Sequence, residues 1–108
     1  MSATVAEYVQ ENEVSGLLSG DLPVIIDCTA SWCGPCKLVS PIMDQLAANY
    51  TGRAKVLKLD VDTNKAIPRE YKIKSIPAVL LFKNGELVNT LVGVKPYEEY
   101  SAELDALI

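Results

Sequence analysis

Histidine is absent from the 108 residues. That removes the commonest general base at neutral pH and the commonest metal ligand. Cysteine is scarce and odd in number, at three, which does not suit a disulfide-stapled secreted domain. A reducing compartment fits this count better. No apolar run approaches the length of a membrane span. The opening stretch MSATVAEYVQ has no basic region followed by an apolar core, so no secretion leader is expected. Basic residues form no cluster and the net charge is -4, which disfavours nucleic acid and anionic lipid as partners. Repeats, low-complexity tracts and Gly/Ser linkers are missing too. The expectation is a cytoplasmic protein with one domain over residues 1–108. Its composition, 49% hydrophobic and 22% charged, is ordinary for a chain that builds one core.

What is present begins with apolar patterning. PVIIDCTA, Pro23 to Ala30, is rich in Val and Ile and predicts a buried strand. It carries one anomaly, the charge of Asp27. Val39, Ile42, Met43, Leu46 and Tyr50 then recur at helical spacing, predicting a helix from near Gly34 to near Gly52. Pro41 falls inside it, lacks the backbone donor and crowds the preceding turn, so a kink is expected. AKVLKLDV alternates and predicts a second strand; NKAIPREYKI predicts a short helix limited by its proline. AVLLF and LVNTLV flank KNGE, whose Asn84-Gly85 pair signals a hairpin. From Pro96 onward, Tyr97, Tyr100, Leu104 and Leu107 mark a last helix, with Glu98 and Glu99 suiting its positive end. Near the start a helix is predicted over Glu11 to Leu18, while VAEYV suits strand or helix. The order β-α-β-α-β-α-β-β-α predicts an α/β fold: a central mixed sheet with helices on both faces.

The chemistry concentrates in TASWCGPCKLV, Thr29 to Val39. A strand running into a helix puts Cys33 at the helix N-terminus, where unpaired N–H groups and the positive end of the dipole converge. A thiolate is stabilised there and its pKa should fall, which makes Cys33 the nucleophile. Cys36 lies one turn deeper and can attack a mixed disulfide formed by Cys33. As a permanent staple the pair would constrain only a two-residue loop and stabilise little. As a metal site, two adjacent cysteines plus Cys28, with no histidine, fall short of four ligands unless two chains share the ion. Asp27 is costly in an apolar strand unless paired or protonated, so burial should raise its pKa.

WCGPC after a strand with a buried Asp, SIPA before a strand and FKNGE at a hairpin together resemble the thioredoxin family. A CxxC beside a strand–helix pattern is a known signature of that family. The likeness runs from about Val5 to Leu107, with Asp27, Pro41, Lys58, Ile76-Pro77, Asn84-Gly85 and Gly93 in order and at the family's spacing. The resemblance implies a protein-disulfide reductase with Cys33 and Cys36 as redox pair and Pro77 as a cis-proline beside them. It implies that Asp27, tuned by or ion-paired with Lys58, takes the proton from Cys36. It also implies a flat apolar surface of Trp32, Gly34, Pro35, Ile76, Pro77, Gly93 and Val94 that holds an extended client segment. Core packing is the plainer reading of Trp32. No bound cofactor or metal is implied. The implied partners are disulfide-containing clients and a thioredoxin reductase, driven by NADPH through a flavin enzyme or by ferredoxin; the implied state is a monomer. A non-catalytic binding subunit and a disulfide isomerase or oxidase are the rival readings.

The sequence departs from the family at Cys28 and Thr29, where an aromatic pair is common, and at Ala78, where Thr is usual. Neighbouring strand residues face opposite sides, so Cys28 is expected on the far side from Asp27, as an inert buried thiol.

Overall fold

The computed structural model describes residues 5–108; of the stretch read for a leader, residues 1–4 lie outside the described residues. In chain order the elements are β1 (Glu7–Tyr8), α1 (Glu11–Leu18), β2 (Val24–Thr29), α2 (Cys36–Asn49), β3 (Lys55–Asp60), α3 (Ala66–Glu70), β4 (Ala78–Lys83), β5 (Glu86–Val92) and α4 (Tyr97–Asp105). The strands form a sheet in the order β1-β3-β2-β4-β5. β2 and β1 run parallel to β3, whereas β4 is antiparallel to both β2 and β5. The sheet is therefore mixed, as the element order predicts.

β2 is the central strand, and every one of its residues is buried. Its alternation divides the core. Ile25 packs on one side with Val39, Met43 and Leu46 of α2 and with Tyr100 and Leu104 of α4. Ile26 and Cys28 pack on the other with Val14 of α1 and Ile67 of α3. Burying one such Leu or Ile is worth about 1.5–3 kcal/mol, so both helix layers are held mainly by apolar contact.

The ambiguous VAEYV resolves as the short strand β1, because Glu7 and Tyr8 pair with Leu57 and Lys58. α2 starts at Cys36 rather than near Gly34. Gly34 and Pro35 form a preceding turn whose carbonyls accept Lys37 N–H and Leu38 N–H, each at 3.0 Å. Pro41 sits within an unbroken helix. The predicted hairpin forms at Asn84 and Gly85, with φ of 54° and 82°. Both values are left-handed, which matches the twist of the flanking strands and explains an Asn-Gly pair there. Among the described residues no helix is long and apolar enough to cross a membrane.

Candidate active site

The loop leaving β2 carries Cys33, and Cys36 is the first residue of α2. The two are joined as a disulfide with a Cα–Cα separation of 5.3 Å. Cys36 therefore opens the helix rather than lying a turn inside it. Cys36 N–H donates to Cys33 Sγ at 3.2 Å. This orphan donor, with the positive end of α2, points at the Cys33 sulfur, an arrangement that favours negative charge there. Cys33 Sγ also lies 3.9 Å from Ile76 O. Both cysteines are buried, with Ala30 and the partly buried Val61 and Ile76 around them.

The Ile76–Pro77 bond is cis. Pro77 O accepts Gly93 N–H at 2.8 Å, which joins the loop before β4 to the loop after β5. Gly93 has φ of 88°, a conformation that favours glycine. Around the disulfide, Gly34, Pro35 and Val94 are exposed, while Ile76 and Gly93 are half-buried. Pro77 is buried, so it supports the patch from beneath instead of forming part of its surface. Trp32 is 68% exposed, which overturns the core-packing reading. Its Nε1–H donates to Asp62 Oδ2 at 2.8 Å, fixing the indole beside the dithiol. A cleft of about 390 Å³ runs between Trp32, Val61, Ile73 and Ile76.

Asp27 lies wholly buried on the α2–α4 side of β2, level with Lys58 on β3 and Val79 on β4. Among the described residues neither of its carboxyl oxygens has a hydrogen-bond partner. Burial pushes its pKa from 3.8 up to about 7; the charge of Lys58 opposes the rise and that of Asp44 adds to it. Lys58 is not its ion-pair partner, contrary to the simplest expectation. The ammonium instead contacts Asp44 Oδ1 at 2.9 Å and donates to Ser40 Oγ at 2.7 Å. Ser40, Asp44 and Asp62 are absent from the sequence reading. The signal for the first two was present: Cys36, Ser40 and Asp44 recur every four residues and share one stripe of α2.

The thioredoxin family profile matches residues 4–106. A thioredoxin of Rickettsia felis is 49% identical over 79 residues, covering 73% of this chain and 75% of that protein. A thioredoxin of Pseudomonas aeruginosa is 38% identical over all of both chains, 108 residues. The chain belongs to the thioredoxin family. Among solved structures, a mutant thioredoxin from Halobacterium salinarum superposes with a TM-score of 0.88 at 31% identity, covering 99% of this chain and 94% of that one. With the Cys33–Cys36 pair closed at one end of the sheet, the chain is a thiol–disulfide oxidoreductase that reduces protein disulfides. In general terms, family membership brings disulfide-bearing clients and a reductase partner.

The departures from the thioredoxin pattern fall on both sides of β2. Cys28 is the one free cysteine among the described residues, fully buried on the α1–α3 side, opposite Ala78. Burial pushes its pKa up to about 12, and the neighbouring Asp27 adds to the rise. Thr29, on the Asp27 side, lines a cleft of about 350 Å³ together with Cys36, Lys37, Ser40 and Asp60.

Proposed function

We propose that the chain is a one-domain, monomeric, cytoplasmic thioredoxin in which Cys33 is the attacking thiol and Cys36 the resolving one. The Cys33 thiolate attacks one sulfur of a client disulfide. A Cys33–client mixed disulfide forms, and the client's other sulfur leaves as a thiolate. Cys36 then passes its proton to the Asp27 carboxylate and attacks Cys33 Sγ. The second client thiolate departs and the Cys33–Cys36 disulfide closes. Two electrons have moved from the protein dithiol to the client. Resetting needs a dithiol or flavin reductase, drawing on NADPH or ferredoxin.

The observation that carries this division of labour is the Cys36 N–H directed at Cys33 Sγ. The backbone stabilises charge on Cys33, not on Cys36. Asp27 suits the base role because a carboxyl titrating at about 7 exchanges protons near neutrality. It shares its face of β2 with Thr29, and Thr29 lines one cleft with Cys36. Lys58 tunes that carboxyl by its charge. The client segment lies along Trp32, Gly34, Pro35, Ile76, Gly93 and Val94, with Pro77 beneath.

The test is insulin reduction driven by dithiothreitol. Cys33→Ser should abolish it, and Cys36→Ser should hold a client as a stable mixed disulfide through Cys33. Normal turnover by Cys33→Ser, or trapping through Cys36, refutes the assignment. The reduction potential of the dithiol against glutathione separates a reductase from an isomerase or oxidase: a strongly reducing value is expected.

A further inference from the structure

Lys58 and Asp27 occupy directly paired positions on β3 and β2, so their side chains leave the same face of the sheet. Opposite charges so placed would ordinarily meet. Here the ammonium is drawn away. It contacts Asp44 Oδ1 at 2.9 Å and Ser40 Oγ at 2.7 Å, and lies 5.7 Å from the centre of the Tyr8 ring. Asp44 is itself held, since its Oδ1 accepts Ala6 N–H at 2.9 Å. Ser40 and Asp44 stand one turn apart on the α2 stripe that begins with Cys36.

We propose that Asp44 and Ser40 are positioning residues: they anchor the Lys58 ammonium on α2 and so leave the Asp27 carboxyl without an ion-pair partner. This rests on the reading of Asp27 as the base that serves Cys36. A carboxylate held in a close ion pair is a poor proton acceptor, because its partner stabilises the charged form. A buried carboxyl with no cation near is nearly always protonated and cannot accept at all. The anchored lysine sits between these limits: near enough to permit ionisation, held far enough away to leave the oxygens free. The charges that act on Asp27 are Lys58 from β3 and Asp44 from α2. The carboxyl in turn acts on the Tyr100 hydroxyl from α4 and on the neighbouring Cys28 thiol of β2, which faces the other side of the sheet. Val79 faces it from β4, and Cys36, in the closed disulfide, does not titrate.

The experiment is a carboxyl-carbon NMR titration of Asp27 in the full oxidised protein, which reads the carboxyl without turnover. Asp44→Asn keeps an oxygen for Ala6 N–H but loses the charge that holds Lys58. The Asp27 midpoint should fall by about one pH unit or more, the effect of a cation moving into direct contact. Asp44→Glu should restore most of it. Ser40→Ala, a mild change that alters no charge, should shift it in the same direction by less. In a Lys58→Met background, Asp44→Asn should move the midpoint less than half as far, because the mobile cation is gone. An unmoved midpoint in both Asp44→Asn and Ser40→Ala overturns the proposal. An undiminished shift without Lys58 overturns it too, since Asp44 would then act by its own charge alone. The pH dependence of mixed-disulfide resolution, measured in the same variants, should follow the NMR midpoint. If the carboxyl shifts and the rate does not, the positioning role stands and the base role of Asp27 fails.

Discussion

Asp27→Ala is the sharpest perturbation available to this fold, because its effect on stability must depend on pH with a fixed sign. The carboxyl is wholly buried without a hydrogen-bond partner among the described residues, and its pKa is raised from 3.8 to about 7. In the unfolded chain the same group ionises near the lower value. Between the two values the folded state binds the extra proton, so raising the pH through that window costs stability. Below about pH 4 the penalty is absent; above about pH 7 it is complete. The rise corresponds to about 4 kcal/mol at most, with relaxation around the ionised group reducing it. Asp27→Ala removes this loss, and the small void it leaves costs the same at every pH. Urea unfolding of the two oxidised proteins at several pH values gives the difference directly, since the other carboxylates cancel. The variant should gain on the wild type steadily from about pH 4 to about pH 8, becoming the more stable protein at the upper end, while resolving mixed disulfides more slowly. A difference that does not vary with pH would show that the buried carboxyl is not perturbed, and the base reading would go with it.

The other predictions concern single groups. Cys28 should give no fast reaction with Ellman's reagent in the native oxidised protein and one thiol after denaturation; with its pKa pushed up to about 12, only about one part in ten thousand is thiolate at about pH 8. Fast native reaction would instead make it a third redox thiol. Tyr50→Phe should lower the unfolding free energy by about 1–2 kcal/mol, because its hydroxyl bonds Ser101 Oγ at 2.6 Å and Asp105 Oδ1 at 2.7 Å; an unchanged denaturation midpoint would refute that account. Trp32→Ala should slow insulin reduction several-fold while changing stability by no more than about 0.5 kcal/mol, since the indole is mostly exposed. A large stability loss would return Trp32 to a packing role.

Local signals carried most of the fold. The VIIDC run, the Asn84-Gly85 turn and the helical spacing after Cys36 each depend on neighbours within a few residues, so they were readable without tertiary information. α2 starts two residues later than the spacing predicts, because Gly34 and Pro35 form a turn ahead of it that apolar spacing does not distinguish from a first helical turn. At the site, both cysteines and Asp27 were legible: two thiols at short spacing and a charge in an apolar strand are chemically conspicuous. The partner of Lys58 was not. The strand register brings Lys58 level with Asp27, and only the reach of its side chain toward α2 decides that it prefers Asp44 and Ser40. Likewise the Trp32–Asp62 bond spans 30 residues, and no spacing rule connects them. The contact of Pro77 with the loop after β5, through Gly93 N–H, joins segments that a single strand's pattern does not connect.

The hydrogen bond from Gly93 to Pro77 has a consequence for recognition. It ties two chain segments that would otherwise sway independently, and both already hang from the β4–β5 hairpin. The proposed client segment thus meets a receptor whose backbone freedom was given up during folding. Ordering one residue's backbone on association costs about 1–2 kcal/mol, and this surface avoids that cost on its own side, leaving only the client to be straightened. The gain is indifferent to client side chains, because it comes from the rigidity of the platform and not from pockets. Such a surface spreads its gain over many client sequences instead of one, which is the breadth that a carrier of electrons to varied disulfides requires.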